Sequence, residues 1–427
     1  MKKTIRDLKI PNILFWGILR RPKSNADRIH RSFVIYFWKN SKGIKVRIKG
    51  LMLFLLSPLA ITRRINKQVS ELGKKARALA GKSILRQWLE QFYLAYFYSI
   101  TPKTYYLQEF YLADGLARAR NYVNRDAMKQ GVYVLIKEYL SSQPSNPKTP
   151  PLSDKLSVSQ FLLQNELMAI PVLLVVNENG SFLDNQNNPT DKLPQADMFC
   201  KPRNSKGGKD AEVWYWLSDD SYKNPLGEVL SSQELKQRFI NYAHKHSSYI
   251  IQPLVLPHPD LQDFRIHATP SLRIISYLKG TEVKIDSVRF KFSLDNNSVV
   301  DNTHAGGVSV PIDLDTGEMT TAVESRLTGM NARWDRHELL NGPIKGRKLP
   351  YMDETIDLVK RAHTLFPSDI IIGWDVVISK EGPIIIEGNN QPDSTFPQRA
   401  YLMPYGCKEI GQVIADYAEK AITEMYQ

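Results

Sequence analysis

Gly373-Trp374-Asp375-Val376-Val377-Ile378, a turn at Glu381-Gly382, and then Pro383-Ile384-Ile385-Ile386-Glu387-Gly388-Asn389-Asn390-Gln391-Pro392 is the stretch on which the reading of this chain turns. Two short apolar runs joined by a Glu-Gly turn form the pattern of a β-hairpin. One run carries an aspartate in its middle, and the other ends on Glu-x-Asn. Strand side chains alternate between faces, so Glu387 and Asn389 share a face on which Asp375 can converge. Three oxygen-bearing side chains placed in this way suit Mg2+, a hard cation that keeps several waters and bridges substrate phosphates. Alone, an acid pair at a sheet rim reads equally well as structural.

Three further pieces make chemical sense beside the hairpin. In Phe199-Cys200-Lys201-Pro202-Arg203-Asn204-Ser205-Lys206-Gly207-Gly208-Lys209-Asp210 a lysine ends a strand and a loop of small residues follows. Backbone N–H groups of such a loop can wrap phosphate oxygens, and paired glycines let the main chain approach closely. Asp154-Lys155 opens a helical segment leading to Met168-Ala169-Ile170-Pro171-Val172. Arg273 sits inside the apolar run Leu272-Arg273-Ile274-Ile275, ahead of Asp301-Asn302-Thr303-His304-Ala305-Gly306-Gly307. A guanidinium in an apolar strand needs a partner, and either a transferring phosphoryl group or a carboxylate supplies one.

Outward from these motifs the chain reads as α+β. Candidate strands are 172–176, 249–252, 272–277, 371–378 and 383–387, alternating with helical segments and turn clusters. Residues 141–151, Ser-Ser-Gln-Pro-Ser-Asn-Pro-Lys-Thr-Pro-Pro, form the best linker, and the chain of 427 residues exceeds what one core usually supports. We therefore expect a mainly helical domain over residues 1–145 and a second domain over 150–427.

The positive charge belongs to the front. Residues 1–100 hold 22 Lys and Arg against 4 Asp and Glu, a net +18, which leaves −5 for the remainder of a chain whose total is +13. The apolar run at 51–61, interrupted by Pro58 and flanked by Lys45, Arg47, Lys49, Arg63, Arg64 and Lys67, is too short to span a bilayer, which takes roughly 20 apolar residues. It reads either as the core of a small helical domain with solvated lysines or as an interfacial anchor, with peripheral membrane contact through residues 28–86. No nucleic-acid reader motif accompanies the charge, so nucleic acid is not expected as a partner. Cys200 and Cys407 are too few for a disulfide framework and have no metal-ligand spacing; each reads as a small buried residue suited to a reducing interior. The amino terminus lacks the clean apolar core and cleavage site of a signal peptide.

Lys155, the Lys201 loop, Arg273 and the Asp375…Glu387-x-Asn389 hairpin stand in the order found in ATP-grasp enzymes. With Asp301–Gly307, Asp313-Leu314-Asp315-Thr316-Gly317, Gly373-Trp374-Asp375 and Glu387-Gly388-Asn389, the chain resembles the sugar-transfer-associated branch of that superfamily over about residues 150–427, and Pro102-Lys103-Thr104-Tyr105-Tyr106 resembles its leader segment. The resemblance implies an ATP-grasp fold behind the helical front. It implies that Lys155 and Lys201 contact the ATP phosphates and that Ser205, Gly207 and Gly208 form a flap over them. Ile251, Gln252 and Leu254 would lie beside adenine. Gln252 stands where many ATP-grasp enzymes carry a glutamate for the ribose hydroxyls. Asp375, Glu387 and Asn389 would hold Mg2+, with Mn2+ as the alternative ion.

Arg273 would contact the γ-phosphate and Asn302 the region where the intermediate forms, while His304 reads as an orienting group for the nucleophile or as a structural histidine. The implied activity is Mg-ATP-dependent activation of a carboxylate as an acyl phosphate, then amide formation with an amine, in the synthesis of surface polysaccharide or glycoconjugate. Substrates would be small or lipid-linked sugars and amino acids, handled in the cytoplasm or at the inner face of the membrane. A kinase acting on a sugar-type hydroxyl and a non-catalytic nucleotide-binding scaffold are the competing readings.

Overall fold

The computed structural model describes residues 21–41, 43–144, 147–204, 207–218, 220–293, 307–324, 333–336, 340 and 342–426, with residues 12, 14, 16 and 19 from the stretch before. The front is helical, as the periodicity predicts. Helix α1 (Asn25–Asn40) starts where the Ser24 hydroxyl accepts the Asp27 N–H, and it leads into α2 (Ile44–Ala80) and α3 (Ile84–Tyr98). Helix α2 runs unbroken through Pro58, although the sequence suggests an interruption there. Proline removes the N–H that would bond the Phe54 carbonyl, and the Ser57 hydroxyl donates to that oxygen instead at 2.7 Å. Shorter helices then lead through a π-helical turn (Met128–Val132) into α4 (Tyr133–Ser141).

Two antiparallel sheets follow. The first is ordered β2-β1-β7-β3-β4-β5-β6, from β1 (Leu174–Asn177), β2 (Phe182–Asp184), β3 (Met198–Pro202), β4 (Glu212–Ser218), β5 (Ser221–Lys223), β6 (Val229–Ser231) and β7 (Ser248–Pro253). Helix α5 (Lys155–Gln164) precedes it, and α6 (Ser232–His246), opened by a Ser231–Glu234 capping box, packs on one of its faces. The second is ordered β12-β11-β10-β9-β8-β13-β14, from β8 (Ser271–Lys279), β9 (Glu282–Ser293), β10 (Gly307–Pro311), β11 (Ala322–Glu324), β12 (Arg333–Trp334), β13 (Ile371–Ser379) and β14 (Gly382–Asn389). Helices α7 (Met352–Thr364), α8 (Thr395–Ala400) and α9 (Glu409–Tyr426) complete the described chain. All five expected strands form, each within a few residues of its expected bounds; the longest strand, β9, was not expected.

The faces of the second sheet differ in what they bury. Leu272, Ile274, Val288, Phe290, Trp374 and Val376 point into a core shared with α7. On the opposite face Ile275, Tyr277 and Ile371 pack against α1, α4 and α9, so this core draws on residues from both sides of the linker at 141–151. Farther along that second face, apolar residues give way to Arg273, Asp375, Arg289 and Lys291, and the strand period carries the change. A short bridge joins the sheets: Ile170 N–H donates to Ile385 C=O, and Ile385 N–H donates to Met168 C=O, each at 2.9 Å.

Cys200 is buried as expected. Cys407 is exposed, contrary to expectation, because it closes a 3-10 turn whose inward positions go to Tyr405 and Gly406.

Candidate functional site

The hairpin register sets the centre of the site. Asp375 lies opposite Glu387 on one side and opposite Arg273 on the other, and Arg273 lies opposite Arg289 in the next strand. A bulge after Asp375 leaves Ile386 without a partner in β13, which keeps Glu387 in line with Asp375. The guanidinium of Arg273 meets both carboxylate oxygens of Asp375, at 2.6 and 2.7 Å, and Lys291 Nζ approaches Oδ1 at 3.2 Å. The Asn389 amide donates to Glu387 Oε1 at 3.2 Å, so the two ligands expected at the strand end are held together. Burial alone would raise the pKa of Asp375, but Arg273 and then Lys291 outweigh it and hold the carboxyl well below the usual range.

Small residues make room for this arrangement. A Cβ on Gly388 would sit 2.9 Å from Leu152 Cδ2 and 3.0 Å from the Trp374 ring. Trp374 is fully buried and donates to Ser276 Oγ at 2.9 Å, which anchors the strand that carries Asp375. A Cβ on Gly373 would meet Pro392 at 2.9 Å. The Gly-Trp-Asp and Glu-Gly-Asn triplets are thus packing solutions as well as sources of ligands.

The first sheet supplies the facing cations. Lys201 lies on β3 opposite Ile250 of β7, 6 % exposed, with its ammonium 5.4 Å from the Phe199 ring centroid. Burial draws its pKa down to about 8; Glu387 and Asp375 oppose that shift and Lys155 adds to it, so the charges of these three groups reach the Lys201 ammonium. Lys155 is brought there by a clamp on its helix. Asp154 caps α5 and pairs with Arg203 at 2.7 and 2.6 Å, while the backbone N–H and the ammonium of Lys155 both donate to Arg203 C=O at 3.4 Å.

Gly207 and Gly208 have φ of +78° and +69°, left-handed values that a residue with a Cβ rarely takes. Past them the loop is tied down at Asp210, whose carboxylate meets Lys245 at 2.8 Å and His246 at 2.6 Å. The β7 residues divide by face. Ile251 is buried in the core beneath α6, whereas Gln252 lies on the Lys201 side at 1 % exposure, with an Oε1 that has no hydrogen-bond partner among the described residues. Leu254 continues the strand edge, its N–H on Asp197 C=O at 2.9 Å. Ser205, Asn302 and His304 lie outside the described residues.

Sequence reasoning missed Arg289 and Lys291. The signal was Ser287-Val288-Arg289-Phe290-Lys291-Phe292-Ser293, a strict polar-apolar alternation that places two cations on one strand face. Arg289 is 5 % exposed, and among the described residues its one hydrogen bond is a long contact to Ser309 Oγ at 3.4 Å. No carboxylate reaches it within ion-pair distance among the described residues, and its Nε and the neighbouring Ser287 hydroxyl both lack partners. Burial draws its pKa down to about 10, with Arg273 pushing the same way.

Among these groups Lys155, Lys201, Arg273, Arg289 and Lys291 face two carboxylates, Asp375 and Glu387, an excess of positive charge in a mostly buried place. Such a set accepts a polyanion. The donors Asp375, Glu387 and Asn389 fit Mg2+ in kind and in position, two adjacent carboxylates and an amide that leave room for water and phosphate oxygens. Among the described residues no three His, Cys, Asp or Glu side chains cluster as a metal site.

The family described as sugar-transfer associated ATP-grasp matches residues 136–404. No curated protein matches the sequence. Among solved structures, an L-amino acid ligase from Bacillus licheniformis is similar at 12 % identity and a TM-score of 0.36, over 64 % of this chain and 50 % of that one. The VanG D-Ala:D-Ser ligase from Enterococcus faecalis is similar at 12 % identity and a TM-score of 0.34, over 63 % and 61 %. A D-alanine–D-alanine ligase from Bacillus anthracis gives 11 % identity and a TM-score of 0.35, over 64 % and 69 %. The chain spans half the length of the first and less than two thirds of the second.

Proposed function

We propose, since this chain belongs to the sugar-transfer associated ATP-grasp family, that it is a Mg-ATP-dependent ligase that activates a carboxylate as an acyl phosphate and joins it to an amine. The observation that carries this reading is that Asp375, Glu387 and Asn389 share one face at a hairpin end, and that the buried Lys201 of the other sheet feels the charges of Asp375, Glu387 and the helix residue Lys155. Paired carboxylates and an excess of cations on opposite walls suit a triphosphate with its divalent ion.

Asp375, Glu387 and Asn389 would hold Mg2+, which would supply positive charge to stabilise the transferring phosphoryl group. Phosphoryl transfer needs little covalent help from the protein, so positioned cations supply most of the remaining stabilisation. Lys201 from the first sheet and Lys155 from helix α5 grip the phosphates, and Gly207 and Gly208, with Ser205, close over them to keep water from the acyl phosphate. Arg273 is placed to exchange the Asp375 carboxylate for the γ-phosphate. Gln252 and Leu254 edge the adenine, while Ile251, its side chain in the core beneath α6, offers only strand backbone there; Gln252 Oε1, without a partner among the described residues, is an acceptor for an N–H or O–H of the nucleotide.

Arg289, buried with no carboxylate in ion-pair reach among the described residues, takes the carboxylate of the substrate and holds it for attack on the γ-phosphate. The acyl phosphate forms with release of ADP; the amine then attacks the acyl carbon and phosphate leaves. Asn302 and His304 are assigned to the intermediate and the nucleophile. We place the reaction on the cytoplasmic side, where ATP is found, with sugar or amino-acid substrates that are free or lipid-linked, in polysaccharide or glycoconjugate synthesis.

Release of ADP and orthophosphate, measured against a panel of amino acids and uronic and amino sugars, tests the reading, with Glu387→Ala as the inactive control. A stable phosphoester formed without orthophosphate would overturn it in favour of a kinase. ATP binding without turnover of any panel member, unaffected by Glu387→Ala, would leave a scaffold.

A further inference from the structure

Helix α2 presents an apolar strip to solvent. Ile44, Ile48, Leu51, Leu55 and Leu59 recur at spacings of three and four, and each is half or more exposed. Met52 and Leu56 widen the strip on one side and are exposed to the same degree. From Ile44 to Leu59 it extends about 22 Å along the helix. The side that packs inward is the other one, where Gly50, Ser57, Ile61 and Ile65 are buried. Scattered apolar residues occur on any surface, but a continuous helical strip of this size marks a docking face.

The charges around it select the occupant. At 100° per residue, Arg47 falls on one shoulder of the strip and Lys45, Lys49, Arg63 and Lys67 fall on the other, all exposed. The helix has no acidic residue before Glu71. An apolar strip with a row of cations along one shoulder and Arg47 on the other matches a surface that is apolar inside and anionic at its rim. A second copy of the same face would instead bring cations against cations. Among the described residues no helix is long and apolar enough to cross a membrane.

We propose that α2 docks this protein on an anionic lipid surface, with the Ile44–Leu59 strip in the acyl boundary and the flanking lysines and arginines at the headgroups. This inference does not depend on which reaction the site between the sheets performs.

Full-length protein is mixed with vesicles of phosphatidylcholine, or with vesicles in which about a third of the lipid is phosphatidylglycerol, and floated through a density gradient at low and at high salt. The protein is expected to float with the anionic vesicles only. Leu55→Glu/Leu59→Glu is expected to lower the floated fraction about tenfold or more while leaving ATP turnover and the thermal melt unchanged. Lys45→Gln/Arg47→Gln/Lys49→Gln is expected to weaken flotation and to flatten its salt dependence, and it serves as the second test should the leucine variant unfold. Failure of the unaltered protein to float with anionic vesicles overturns the proposal. So does undiminished flotation of a folded leucine variant, or a dimer that this variant splits while flotation stays as before.

Discussion

Arg273 and Asp375 are direct cross-strand partners whose side chains close on each other through two contacts, at 2.6 and 2.7 Å, in the most polar part of an otherwise apolar sheet. Lys291 adds a third contact to the same carboxylate at 3.2 Å. Asp375 thus has two tasks: it balances buried cations in the ligand-free chain, and it is an expected ligand for the divalent ion.

Asp375→Asn is expected to destabilise the ligand-free protein by about 3–5 kcal/mol, because it leaves Arg273 and Lys291 buried without their carboxylate. Glu387→Gln, which breaks no ion pair of this kind, is expected to abolish turnover with a change within about 1 kcal/mol. Urea unfolding of both variants checks the contrast. The folded pKa of Asp375 lies below its ordinary 3.8, so its contribution is present above that value and is lost as pH falls through the folded one. Acid unfolding of Asp375→Asn should therefore lose the part of the pH dependence that belongs to this group.

Lys201 gives a second pH dependence, of the same sign, on the alkaline side. Its folded pKa is lowered from 10.5 to about 8, so the unfolded chain holds more protons between those values and stability rises with pH across that window. ATP binding should move the other way. The ammonium that grips phosphate is lost in the free enzyme above about pH 8, and KM for ATP should rise there. Lys201→Arg keeps its charge throughout and should flatten the KM profile; unchanged profiles in both proteins would remove Lys201 from the phosphate site.

Gly388→Ala tests the packing between the two ligand-bearing residues. A methyl group there would overlap Leu152 and the Trp374 ring at 2.9 and 3.0 Å, an overpacking expected to cost about 1–3 kcal/mol. Since Glu387 and Asn389 flank the position, turnover should fall further than the melting temperature suggests. Comparison of kcat with the fraction folded at the assay temperature distinguishes the two effects.

Much of this site could be read from local pattern. Asp375, Glu387 and Asn389 lie within one hairpin, and the turn and the strand period suffice to put them together. Lys201 was visible because a strand-ending lysine before a glycine loop is a local signature. What stayed hidden depends on contacts between distant segments. Arg289 and Lys291 break the rule that charges stay out of buried strands, and nothing near them in sequence says that Arg273 and Asp375 wait alongside. The unbroken helix through Pro58 depends on a hydroxyl one residue away that stands in for the missing N–H, a substitution that composition does not announce. Likewise Arg28 of α1 pairs with Glu419 of α9, a contact between opposite ends of the chain.

Arg289 carries the most discriminating test, because a buried charge with no carboxylate in ion-pair reach among the described residues costs stability unless a ligand supplies the counter-ion. Arg289→Met removes that charge and keeps most of the volume, so the ligand-free protein is expected to gain about 1 kcal/mol or more. Natural proteins accept such a cost where function needs it. The same variant is expected to lose turnover with the carboxylate substrate while its affinity for ATP, read by nucleotide titration, changes little. Arg289→Lys should recover part of the turnover with a raised KM for the carboxylate, since an ammonium offers a point charge in place of a fork. A destabilised methionine variant with normal turnover would assign Arg289 to the architecture of the sheet and leave the carboxylate to be bound elsewhere.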